Sequence, residues 1–231
     1  MKYKHLFFDL DHTLWDFDAN SRLTLEQLYN ELNLREKGIV DFDAFHKNYL
    51  VHNERLWDRY RKGIIRVDEL RWKRFYWALV DFQITNEALA KQMAVLFLDN
   101  LPSRTILFPG TREVLGHLKE KGYCMHLITN GFEEVQWGKL RNTQIDGFFT
   151  EVITSEGSNS LKPHKEIFDY ALTKAKSTAN ESIMIGDDPE VDIKGAMNAG
   201  LDQVFVNHVN KTIDFKPTYT IYDLEELKGI F

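Results

Sequence analysis

What most constrains this chain is how its short apolar runs end in polar clusters and then give way to helical spacing. Tyr3 to Phe8 is apolar and aromatic and stops abruptly at Asp9 and Asp11. A strand buried on both faces of a parallel sheet reads this way, with its polar chemistry at the carboxyl end. After Pro109-Gly110 the alternation becomes regular. Helices are expected over residues 111–121, 133–142, 165–176 and 193–199, and strands over 123–128, 149–153, 182–185 and 203–206. Strands alternating with helices imply βαβ units, hence an α/β fold with a parallel sheet covered by helices.

Between the first strand and this series, from about Ser21 to Leu101, only helical spacing is found. Leu25, Leu28, Tyr29 and Leu32 fall at i, i+3, i+4 and i+7, and Leu89, Met93, Leu96 and Phe97 repeat the pattern. About four helices are expected, inserted into the α/β unit. The expected division is 1–15 with 104–231 for the α/β core and 16–103 for the insertion, with hinges near 16–20 and 101–108. The basic and aromatic run Arg71 to Trp77 is expected to form an amphipathic helix with its Trp and Phe in the insertion's core, the alternative being a stacking surface for a base.

Composition excludes some functions. Among 231 residues, 35 Asp+Glu outweigh 29 Lys+Arg, a net charge of -6, so a polymeric nucleic-acid partner is not expected. No apolar run approaches the ~18 residues of a membrane span. Neither does the amino-terminal stretch read as a signal peptide. With Cys124 as the lone cysteine, expected to pack inertly in a core strand, a reducing cytoplasmic setting fits.

Ligands of parallel sheets bind at the carboxyl ends of the strands. The polar residues there are Asp9, Asp11 and Thr13, then Thr129 and Asn130, then Lys162-Pro163 in the following loop, then Asp187, Asp188 and Asp192. Gathered carboxylates raise one another's pKa unless a cation sits among them. Mg²⁺ suits an all-oxygen set, and beside Lys162 it would make an acidic rim receptive to a phosphate. The Thr129 hydroxyl and the N–H groups after Asn130 can donate to that phosphate. A carboxylate can attack phosphorus to give an aspartyl-phosphate, provided a second group protonates the leaving oxygen.

The set Asp9-Leu10-Asp11-His12-Thr13, Thr129-Asn130-Gly131, Lys162-Pro163 and Gly186-Asp187-Asp188 with Asp192 resembles the four motifs of the haloacid dehalogenase (HAD) superfamily, in order. The likeness covers the whole chain, because an insertion directly after the first motif is similar to that superfamily's helical C1 cap on a Rossmannoid core. It implies that Asp9 is the nucleophile and a Mg²⁺ ligand. Asp11 would be general acid/base and lend its carbonyl to the metal. Thr129 and Lys162 would hold the phosphoryl group. Asp187 would bind the metal, with Asp192 and Asp188 in its outer shell, and Thr13 would support the turn carrying Asp11. His12 stands where Gly is frequent, and Asp188 where Ser is frequent.

The stretch Asp9 to Phe17, with Lys162-Pro163 and Ile167 to Leu172, is most similar to the pyrimidine 5'-nucleotidase branch. That implies Mg²⁺-dependent hydrolysis of nucleoside monophosphates by a monomer or homodimer. A sugar-phosphate phosphatase or a β-phosphoglucomutase-like phosphotransferase is the alternative. The acid at Asp11 disfavours a dehalogenase. A phosphonatase and a non-catalytic binding module are the remaining readings.

Overall fold

A computed structural model describes residues 2–231. In chain order the elements are β1 (His5–Phe8), α1 (Phe17–Glu31), α2 (Phe42–Arg61), α3 (Val67–Val80), α4 (Glu87–Asn100), α5 (Thr111–Glu120), β2 (Cys124–Thr129), α6 (Glu133–Asn142), β3 (Phe149–Thr154), α7 (Ser155–Ser158), α8 (Lys165–Lys174), β4 (Ser182–Gly186), α9 (Gly195–Asn198), β5 (Asp202–Val206), β6 (Tyr219–Ile221) and α10 (Leu227–Ile230). The chain divides into two compact units. One runs to Phe17 and resumes at Thr105–Phe231, and the other is Asp18–Arg104.

The first unit is built on a six-stranded sheet in the order β3-β2-β1-β4-β5-β6. Every pairing is parallel. The first strand of the sequence is therefore central, with β2 on one side and β4 on the other. This is a switch point, where open α/β sheets form a crevice at the strand ends. Phe7, Ile128 and Met184 pack with Ile167, Phe168 and Ala171 of α8 in one buried cluster. Burying each of the larger side chains among these is worth roughly 1.5–3 kcal/mol.

The second unit is a four-helix assembly. Asp41 caps α2 by accepting from the Ala44 N–H at 3.1 Å, and Asn86 caps α4 by accepting from Leu89 at 3.0 Å. Its interior holds Phe45, Tyr49, Leu56, Leu70, Phe75, Met93 and Phe97.

Several expectations need correction. β6 completes the sheet although the sequence shows no obvious run there. It has three residues and only Ile221 is buried. The helix expected from Ile193 starts at Pro189, as a wide turn over Pro189–Lys194 that leads into α9. Proline suits that first position because its missing N–H is one no helix uses. Cys124 is exposed, since it opens β2 at the rim of the sheet. In α3, Phe75 is buried but Trp77 is 43% exposed, and Arg74 occupies the core instead. Its guanidinium donates to Asn53 Oδ1 at 2.9 Å and lies 5.2 Å from the ring centres of Phe75 and Phe97. Two histidines that looked solitary pair at the amino end of the sheet. His5 Nδ1 and His126 Nε2 are 3.0 Å apart. Residues 17–20 form the first turn of α1, not an extended hinge.

Candidate active site

At the carboxyl end of β1, the Asp9 N–H donates to the Ile185 carbonyl at 2.9 Å, extending the ladder one residue beyond the strand. The chain then doubles back. Leu14 and Trp15 donate to the Leu10 carbonyl, and His12 donates to the Trp15 carbonyl. His12 adopts φ +62° in this turn, the left-handed region that glycine enters freely, which accounts for the glycine common at the position. Buried Thr13 donates to Asp187 Oδ1 at 3.3 Å, tying the turn to the end of β4.

Lys162 lies at the centre of the acids. Its buried amine donates to Asp9 Oδ1 at 2.5 Å and to Asp192 Oδ1 at 2.7 Å. The loop carrying it is fixed by Asn130, whose side chain accepts from the Lys162 N–H at 2.8 Å and donates to the Lys162 carbonyl at 2.9 Å. The Asn130 amide is thus committed to backbone, so only its main chain is left to meet a ligand. Thr129 Oγ1 accepts from the Gly131 N–H and from Gln136 Nε2, at 3.1 and 2.6 Å. Its own hydroxyl proton stays available for donation.

Asp9, Asp187 and Asp192 offer carboxylate oxygens that all lie within 4.8 Å of one another. Burial pushes all three carboxyls up, and like charges nearby add to the effect. Asp187 rises to about 6, and Asp9 rises well above the usual range even though Lys162 pulls it back. Burial alone would lower Lys162, but Asp192 and Asp9 outweigh it and raise the amine. Buried Lys162, with the more exposed Lys211 at the edge, against three carboxylates leaves excess negative charge. An all-oxygen donor set of this size fits a hard divalent cation.

Two sequence candidates make their side-chain contacts outside the cluster. Asp188 Oδ1 accepts from the Glu190 and Val191 N–H groups at 2.9 and 3.0 Å, capping the turn after β4. The Asp11 carboxylate stands apart from the cluster. It accepts from Lys139 Nζ at 2.6 Å and from Gln136 Nε2 at 2.9 Å. Both donors lie on the inner face of α6 and both are buried. Sequence reading missed them, although polar residues at 136, 139 and 143 on one helical stripe were a signal. Lys211, also unforeseen, donates to Asp187 Oδ2 at 3.4 Å.

Two glycines permit this crowding. A Cβ on Gly186 would collide with the Asp192 carboxylate, and one on Gly131 would come within 2.6 Å of Gln136 Nε2.

A buried carboxylate–lysine pair, a carboxylate cluster and a separately held second acid thus stand together at the strand ends of a parallel α/β sheet. The model of the haloacid dehalogenase-like hydrolases matches residues 3–200, and the chain belongs to that family. It is 31% identical over 230 residues to "Pyrimidine 5'-nucleotidase PynA" of Streptococcus pneumoniae, covering 98% of this chain and 94% of that protein. It is 33% identical over 237 residues to "Pyrimidine 5'-nucleotidase YjjG" of Escherichia coli, covering 100% and 98%. The crystal structure of the HAD-hydrolase YfnB from Bacillus subtilis, bound to magnesium, matches with a TM-score of 0.90 at 29% identity, covering 100% of this chain and 99% of that one.

Proposed function

We propose that this hydrolase is a Mg²⁺-dependent phosphatase acting on pyrimidine nucleoside monophosphates of the cytoplasm, through an aspartyl-phosphate. The observation that carries the mechanism is the Lys162 amine bridging Asp9 and Asp192 beside Asp187. Asp9 and Asp187 would hold the cation, with Asp192 behind them, and the Asp11 carbonyl would complete the protein's share. The ion would neutralise charge on the phosphate and on the gathered carboxylates.

Asp9 attacks phosphorus, and the bond from phosphorus to the ester oxygen breaks as Asp11 hands that oxygen a proton. Water then attacks the aspartyl-phosphate while Asp11 accepts a proton from it, which frees phosphate and restores Asp9. Lys162 and the Thr129 hydroxyl steady the phosphoryl oxygens as charge shifts between them. Lys139 and Gln136 keep Asp11 aimed, since both of its carboxylate oxygens are held. Two near-full-length relatives named pyrimidine 5'-nucleotidases support the substrate class.

The test is phosphate release from dUMP, dTMP and UMP, compared with sugar phosphates and an aryl phosphate, with and without Mg²⁺. Fastest release from the pyrimidine nucleotides, dependent on Mg²⁺ and abolished by Asp9→Asn, is expected. Full activity in Asp9→Asn would sink the mechanism, and preference for a sugar phosphate would sink the substrate class.

A further inference from the structure

The inserted helical unit contains a cavity of about 220 Å³, remote in sequence from the carboxylate cluster. Its walls are His52, Arg55, Leu56 and Arg59 of α2, Ile65 of the connecting turn, and Lys73 and Trp77 of α3. The α2 residues fall at i, i+3, i+4 and i+7, one face of the helix, and the α3 pair is spaced i, i+4. Three permanent cations and a histidine line the space, and no carboxylate does.

The neighbouring cations are neutralised locally. Arg61 pairs with Glu54, Lys62 with Asp58, Arg66 with Asp68 and Lys73 with Glu69. Among the described residues, Arg55 and Arg59 make no such pair. Arg59 Nε is buried without an acceptor. His52 shows the same pattern, with Nε2 on Asp81 at 2.8 Å and a buried Nδ1 that has no partner. The remaining wall is apolar, formed by Leu56, Ile65 and the Trp77 indole, which is 43% exposed.

We propose that this cavity is a second ligand site, for a nucleoside monophosphate. The phosphate would lie on Arg55 and Arg59, and the base would stack on Trp77. Arginine forks suit phosphate oxygens, and an indole face takes any nucleobase. The volume equals about seven waters at roughly 30 Å³ each, enough for one ring with the phosphate at the mouth. Nothing in this assignment depends on which substrate the carboxylate site hydrolyses.

The test is NMR titration of the Trp77 indole N–H in the full-length protein, assigned with Trp77→Phe, in metal-free buffer containing EDTA so that turnover is off. UMP is expected to shift that resonance saturably, while uridine alone and inorganic phosphate bind about tenfold more weakly or worse. Arg55→Gln together with Arg59→Gln should weaken UMP at least about tenfold. Arg55→Gln alone, at an exposed position, should weaken it in the same direction and guards against a folding artefact. No saturable shift with UMP, or an unchanged affinity in both arginine variants, would overturn the site. Phosphate or uridine binding as tightly as UMP would overturn the ligand class.

Discussion

The Lys139 amine lies 2.6 Å from Asp11 Oδ1 and 4.3 Å from the centre of the Trp15 ring, and its side chain is 2% exposed. A buried lysine between a carboxylate and an indole holds that carboxylate in one direction, and it is costly to leave unpaired. Asp11→Asn should therefore lose turnover and also lose on the order of 1–3 kcal/mol of stability, because Lys139 loses the counter-charge that Asp11 supplies. Adding Lys139→Met should recover most of the stability and none of the activity. Lys139→Met alone should lower kcat about 100-fold with KM little changed, since only the aim of Asp11 is lost. Urea unfolding and steady-state kinetics of the three variants check this, and simple additivity of the two stability changes would refute the pairing.

The metal-free carboxylate cluster should respond to pH in an unusual sense. Asp187 titrates near 6 in the folded protein against an ordinary value of 3.8, so between those values the native state holds the extra proton. Stability should then fall as pH rises through that window, by on the order of 2 kcal/mol, rather than rise as it does for paired surface acids. Asp187→Asn should flatten the trend and raise the Tm of metal-free protein at pH 7. Mg²⁺ should stabilise the wild type but hardly the variant. Thermal unfolding with EDTA and with Mg²⁺ reads all of this, and equal pH slopes in the two proteins would refute it.

His126 should produce the opposite slope. Burial and the adjacent His5 push its imidazole down to about 4, while an unfolded histidine titrates near 6.5. Between those values the unfolded chain binds the extra proton, so stability should fall as pH drops from 6.5 toward 4. The loss should be on the order of 1–3 kcal/mol, and His126→Leu should lack it. Unfolding in a pH series, with the variant as reference, isolates the contribution of His126.

Gly186→Ala should cost about 1–3 kcal/mol, because the new methyl meets the Asp192 carboxylate and that carboxylate is held by Lys162 and by the Asp188 N–H. Activity should fall further than stability, since moving Asp192 drags Lys162 away from Asp9. Gly131→Ala should act on the other side of the site by displacing Gln136 from Asp11 and Thr129. Near-normal kcat in either variant would show that the contact is easily relieved.

The strand ends that gather the acids were legible because buried strands announce themselves by apolar runs and their polar endings follow directly. Asp9, Asp187 and Asp192 could be picked out this way, and the four inserted helices followed from spacing alone. Lys139 and Gln136 were not legible, because a helix that buries polar residues breaks the periodicity used to orient it. Their partner, Asp11, lies 128 residues away from Lys139 in sequence. Arg74 escaped for the same reason, its charge hidden in an aromatic core. β6 escaped because a three-residue edge strand with two exposed positions carries no pattern. Asp188 looked like one more acid on the rim, and the backbone partners that make its Oδ1 a cap could not be read from the sequence.

Where the chain leaves the sheet for the helical insertion and where it returns, the two crossings are stitched together. Trp15 and Leu107 form an antiparallel bridge, with Asp16 donating to Ile106 at 3.1 Å and Phe108 to Leu14 at 2.9 Å. Neighbouring strands of that kind stand about 5 Å apart. The gap the sheet sees is therefore the same whatever is threaded between positions 17 and 105, and the entropy of closing a longer loop there grows only with the logarithm of its length. The junction works as a socket, so the entire inserted unit can be lengthened, shortened or exchanged while the acids beyond the carboxyl ends of β1 and β4 keep their places.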